Sequence, residues 1–194
     1  LHADKIPKAD LQNGKATLLE AAINEAYASG RRQFEIIPLF FGPSGALVDY
    51  LPRRLRILRE RCPEMRVRIL NPLFVSSENG GTILATILKE RIESVLAVQE
   101  LDYFKVILVD HGSPKKSVTN VRNEVAKLLE QQLGEGSKVT PASMERRAGD
   151  QYAFNEPLLE HALNSLEKNQ PPIILAQMFL SPGRHAGPEG DIFK

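Results

Sequence analysis

The sequence predicts an α/β fold in which a parallel sheet is flanked by helices, and three observations lead there. Strand-like apolar runs alternate with helix-length amphipathic segments along the 194 residues, the pattern of βα units. The run Val106-Ile107-Leu108-Val109 is unbroken, as a strand covered on both faces must be; a half-exposed strand would alternate. The third observation is repetition: the helix–strand stretch at 17–46 is echoed at 157–186.

Taken in order, residues 1–13 are polar and mixed and read as a loose arm. Leu18, Leu19, Ala22, Ile23 and Ala26 recur at helical spacing and predict a helix over 16–29, ended by Gly30. "FEIIPLFF" (34–41) predicts a strand, which Pro38 places near a sheet edge. "GPSG" (42–45) is a turn, and 46–61 is a second helix crowded with arginine. "MRVRILNPLF" (65–74) predicts a strand and 80–98 a helix. The strand "FKVILVDHG" (104–112) leads to a helix over 117–133 with Ser117 as its N-cap. A strand at 138–144, a helix at 155–168 and a strand at 172–180 follow, before the Gly- and Pro-rich loop "SPGRHAGPEGDIFK".

In the repeat, Leu18, Leu19, Glu20, Ala22 and Asn24 recur at Leu158, Leu159, Glu160, Ala162 and Asn164. After one slipped residue, Phe40 and Pro43 recur at Phe179 and Pro182. The period is about 140 residues. A repeat of that length divides the chain into the latter part of a first unit, 1–100, and the first part of a second, 101–194. The outer part of each unit is then expected beyond the chain. A single unit in permuted order would read the same way.

Composition sets bounds on function. Apolar residues make up 42% and charged residues 25%, ordinary for a globular protein. A net charge of +1 calls for neither nucleic acid nor an anionic membrane. Cys62 is the only cysteine, which excludes an internal disulfide and favours a reducing compartment. No apolar stretch is long enough for a bilayer, and no secretion signal opens the chain. A cytoplasmic location is expected, or a plastid one after removal of a transit segment.

Ligands of open parallel sheets bind outside the carboxyl ends of the strands. His111, Glu145 and His185 each follow a predicted strand, at 104–110, 138–144 and 172–180. Imidazole and carboxylate together suit divalent iron, cobalt, nickel or zinc. Histidine also titrates near neutral pH, so the same set can move protons.

"VILVDHGSPKKSVTNV", "PASMERRAGDQYAFNEPLLEHAL" and "FLSPGRHAGPEGDI" together resemble the sirohydrochlorin chelatases of the CbiX/SirB type, the class II chelatases. The likeness covers 104–194 well and rests on the repeat over 14–100. It implies a chelatase-like, Rossmann-like fold and ATP-independent insertion of Fe2+ or Co2+ into sirohydrochlorin, in siroheme or cobalamin biosynthesis. The metal is then a substrate, no organic cofactor is expected, and the partner is a tetrapyrrole. The family's two histidines carry over to His111 and His185, which handle metal and remove protons, and its acidic residue to Glu145. Two imidazoles and a carboxylate leave coordination positions open, so the ion is held without being trapped as in a closed four-ligand site. Asp110 would orient His111. Ser113, Lys115, Lys116, Arg146 and Arg184 are candidates to hold the pigment's carboxylates. Short members resemble half-units that dimerise, so a homodimer is the expected assembly.

The first repeat departs from this pattern. It has "GPSGALV" where the second has "SPGRHAG", with no histidine, and reads as a structural half. That departure motivates an alternative, a non-catalytic carrier or regulator that binds tetrapyrrole or metal. A generic phosphate-binding α/β enzyme has little support, because no Gly-rich fingerprint follows a strand. Taken singly, His111, His185 and Glu145 also fit ordinary surface roles. His161 reads as surface, Arg53, Arg54, Arg56, Arg59 and Arg61 as a solvated helix face, and Cys62 as a thiol near a helix end.

Overall fold

The computed structural model describes residues 17–101, 103–167, 171–181, 186–187 and 190–193. The chain packs as two compact units, Leu1–Ile37 with Ala46–Leu70, and Pro38–Gly45 with Asn71–Lys194. These units follow packing, whereas the 1–100 and 101–194 parts are a matter of sequence likeness.

The first unit holds α1 (Leu19–Ala28), β1 (Gln33–Ile36), a π-helical turn (Ala46–Tyr50), α2 (Leu51–Arg61) and β2 (Arg66–Ile69). The strands pair in parallel, Gln33 opposite Arg66 and Ile36 opposite Ile69. Both are shorter than the expected 34–41 and 65–74. The last ladder contact is Leu70 N–H to the Ile36 carbonyl at 2.9 Å. Pro38 and Pro72 lie just beyond and have no N–H to extend it. Ile23 of α1, Leu55 and Leu58 of α2, Cys62 and Met65 make the core of this unit. Arg53, Arg56, Arg59 and Arg61 remain exposed on α2, as a solvated face should.

The second unit holds α3 (Gly81–Gln99), β3 (Lys105–Asp110), α4 (Lys116–Leu133), β4 (Val139–Ser143), a 3-10 turn (Asp150–Asn155), α5 (Leu159–Asn164), β5 (Ile173–Gln177) and a terminal 3-10 turn (Asp191–Phe193). Its parallel sheet has the order β4-β3-β5. The central place of β3 explains its unbroken apolar run. Val106 and Leu108 enter a core shared with α3 and α4, and Ile107 and Val109 enter another shared with α5. Burying each such side chain contributes about 1.5–3 kcal/mol.

Two expectations need correction. Ser117 does not cap α4: it lies inside the helix, and the cap position is Lys115. The Lys115 N–H instead donates to Ser113 Oγ at 3.1 Å. The helix expected over 155–168 is a 3-10 turn and a short α5. Pro157 separates them, since a proline inside a helix removes a donor and clashes with the preceding turn. α1 and β1 begin at Leu19 and Gln33, and α5 and β5 begin at Leu159 and Ile173, the same offset that the sequences show. Among the described residues, no helix is long and apolar enough to cross a membrane.

Candidate active site

Parallel pairing brings the strand ends of the second unit level. Asp110, the last residue of β3, is opposite Ser143, the last of β4, and Val109 is opposite Gln177, the last of β5. The chains leaving β3 and β4 stay together past the sheet. The Met144 N–H donates to the Asp110 carbonyl at 2.8 Å and the Glu145 N–H to the His111 carbonyl at 3.2 Å. These backbone bonds set His111 and Glu145 side by side, with Nε2 and Oε1 3.6 Å apart. Both side chains are open to solvent, 49% and 66% exposed. A divalent ion or a proton can therefore reach them.

Gly112 makes this approach possible. Its φ is +89°, and a Cβ there would collide with the Glu145 carbonyl oxygen. Only glycine combines that conformation with so close a passage of two backbones.

Beneath the pair lies a buried polar network. Asp110 Oδ1 accepts the Gly112 N–H at 3.1 Å and the Ser143 hydroxyl at 2.7 Å. Arg122 of α4 is 1% exposed. Its Nη1 donates to Ser143 Oγ and to the Asn155 carbonyl at 3.2 Å, and lies 3.5 Å from Asp110 Oδ1. Asn155, fully buried, accepts the Ser113 N–H at 2.9 Å and the Thr119 hydroxyl at 3.1 Å, and its amide donates to the Ser113 carbonyl. Burial pushes the Asp110 carboxyl up, against the opposing pull of Arg122, Ser143 and the Gly112 N–H. Burial likewise pushes Arg122 down, against Asp110. Among the described residues, no buried side-chain polar atom lacks a partner.

The remaining sequence candidates are placed as follows. Ser113 is clamped through its backbone by Asn155 and through its hydroxyl by Lys115. Lys115 is half-buried at the start of α4 and Lys116 is exposed. Arg146 donates from Nε to Glu156 Oε1 at 2.6 Å and from Nη1 to the Gly149 carbonyl at 3.1 Å. Glu156 also takes the Leu158 N–H and faces His161 Nδ1. Burial would raise its carboxyl, but these hydrogen bonds from Arg146, His161 and Leu158 together hold it below its ordinary range. Arg184 and His185 lie outside the described residues. Asp110, the candidate to orient the His111 ring, serves the buried network through its carboxylate and holds the Gly112 backbone that follows His111.

Arg122, Ser143 and Asn155 were not anticipated. A signal did exist for Arg122: it shares the i, i+3, i+4, i+7 stripe of α4 with the buried Val125, Ala126 and Leu129, where a charged residue is out of place unless partnered.

No family model matches the sequence, and no curated protein sequence does. The backbone nevertheless has a known form, an α/β fold in which helices flank parallel strands. It is similar to the structure of SirB from Bacillus subtilis with Fe3+, at a TM-score of 0.65 and 17% identity, over 87% of this chain and 61% of that one. It is also similar to the sirohydrochlorin chelatase SirB from Bacillus subtilis subspecies spizizenii in complex with cobalt. There the TM-score is 0.55 and the identity 16%, over 84% of this chain and 69% of that one. At these identities the likeness is one of fold, and the chain spans about three fifths of the first of those proteins.

Proposed function

We propose that this protein is a sirohydrochlorin chelatase, inserting Fe2+ or Co2+ into the macrocycle without ATP in siroheme or cobalamin biosynthesis. The observation that carries the reading is the imidazole–carboxylate pair of His111 and Glu145, 3.6 Å apart at adjacent strand ends, on a fold shared with proteins whose structures hold Fe3+ and cobalt. The metal ion is a substrate in this reading. A neutral imidazole and a carboxylate hold a divalent first-row ion, and His185 is assigned as the third ligand. As the ion enters the ring, two pyrrole N–H bonds break and their protons leave, so the macrocycle's charge falls as the metal's is added. A neutral imidazole nitrogen accepts such a proton.

In the same reading Lys115, Lys116, Arg184 and Ser113 face the pigment's carboxylates. Arg146 contributes only by exchanging Glu156 for substrate. The 1–100 part is a degenerate repeat, the 101–194 part carries the histidines, and a second copy of the chain is the expected partner.

Anaerobic sirohydrochlorin with Co2+ or Fe2+, followed by the change in pigment absorbance, tests this. His111→Ala, His185→Ala and Glu145→Gln should each slow insertion by about 100-fold or more, with folding intact by circular dichroism. Wild-type rates in the His185 variant would end the assignment. Pigment binding by the wild type without faster insertion would favour the carrier.

A further inference from the structure

Arg122 sits where a charged side chain is costly, and nothing about stability explains it. A buried ion pair seldom outperforms a well-packed apolar substitute, and the neighbours Val125, Ala126 and Leu129 on the same stripe show what such a substitute would pack against. What distinguishes Arg122 is where its Nη1 points. That single nitrogen meets Ser143, Asp110 and the Asn155 carbonyl. Each of these leads directly to the site. Asp110 precedes His111, Ser143 lies two residues before Glu145, and the Asn155 side chain clamps Ser113. The other side of the guanidinium is fixed from outside. Nε and Nη2 both donate to Asn123 Oδ1, at 3.1 and 2.9 Å, so the planar fork is aimed before anything binds.

We propose that Arg122 is a positioning residue for the metal-handling pair, setting the separation of His111 and Glu145 by tying together the ends of β3 and β4. This rests on the reading that the pair handles the metal. Arg122 touches neither ion nor pigment; it acts through Asp110 and Ser143. The fork is essential to the role: a lysine ammonium can neutralise Asp110 but cannot be aimed by Asn123 while holding Ser143 and the Asn155 carbonyl.

The test is titration of the whole chain with Co2+, read by its visible absorption, in wild type and in Arg122→Lys, Arg122→Met, Asn123→Ala, Leu129→Ala and His111→Ala. Arg122→Lys and Arg122→Met should weaken Co2+ binding about 10-fold or more and alter the band shape. Asn123→Ala, at an exposed position, should shift affinity in the same direction by a smaller factor and keeps the test decisive if the Arg122 variants do not fold. Leu129→Ala lowers the melting temperature but should leave affinity and spectrum as in wild type. Unchanged Co2+ binding in folded Arg122 variants would overturn the proposal. So would unchanged binding in Asn123→Ala where the others fail to fold, or a loss in Leu129→Ala matching theirs. The underlying reading fails separately, if His111→Ala binds Co2+ as wild type does.

Discussion

Both compact units carry solvent-facing ion pairs, but among the described residues only the second also buries one. In the first, Arg54 meets Glu20 at 2.5 Å, Arg32 meets Glu64 at 2.9 Å and Arg68 meets Glu35 at 3.3 Å, all with side chains more than a third exposed. In the second, Arg122 and Asp110 are paired with side chains 1% and 10% exposed, and Thr119, Ser143 and Asn155 are buried around them. Both units have apolar cores of leucine, isoleucine and valine or methionine. The buried polar groups therefore answer a need other than core formation. They gather at the carboxyl ends of β3 and β4, the place where a parallel sheet offers its loops to a ligand. The contrast separates charge used to solubilise a surface from charge used to hold loops in register.

The largest expected difference between the units lies in two glycines with similar positive φ. Gly30, after α1, has φ +96° and open space where a Cβ would go; Gly112 has φ +89° and the Glu145 carbonyl in that space. Gly30→Ala should therefore cost only the left-handed penalty of about 1–2 kcal/mol. Gly112→Ala adds a collision between backbones and should cost about 3 kcal/mol or more, with loss of Co2+ binding as the His111 and Glu145 loops part. Chemical denaturation and Co2+ titration of both variants check this. Equal effects would mean that the close passage at Gly112 is dispensable.

Much of this contrast was legible beforehand. The unbroken 106–109 run announces a strand covered on both faces, and pattern alone places His111 and Glu145 just past the ends of two different strands. What escaped was set by contacts distant in sequence. Asn155 looks like a helix start in "YAFNEPLLEHAL", yet its side chain reaches Ser113, 42 residues earlier. Asp110 beside His111 invites a local pairing, but the register that puts Ser143 opposite it is a property of the folded sheet. Pro38 and Pro157 are plain in the sequence, and the missing N–H of each ends its element earlier than the apolar pattern does.

Titration offers a second way to sharpen the comparison, because Glu20 of the first unit and Asp110 of the second respond with opposite signs. The hydrogen bond from Arg54 holds Glu20 below its ordinary 4.5, despite some opposing burial. Its stabilisation of the first unit is present above that value and lost as pH falls through the depressed folded one. Burial raises Asp110 above its ordinary 3.8. Its contribution is fully present below 3.8 and lost as pH rises through the raised folded value. The stability of wild type relative to Glu20→Gln should therefore shrink on acidification, and that of wild type relative to Asp110→Asn should shrink as pH rises. Urea midpoints measured between pH 3 and 7 decide it. Curves of the same sign would mean that Asp110 behaves as a surface carboxylate, and the contrast between the units would go.

The smallest effect is expected at Glu35 and Arg68. They stand directly opposite on β1 and β2, which is favourable geometry for a cross-strand pair. They are also 59% and 73% exposed, so water and salt screen the attraction and two long side chains lose freedom in forming it. Glu35→Gln should change stability by less than about 0.5 kcal/mol, a shift in melting temperature within about 2 °C, with Co2+ binding unaffected. Raising the salt concentration should shrink even that difference. A larger, salt-insensitive loss would show that surface pairs hold β1 to β2, so that the charges of the first unit are as structural as those around Arg122.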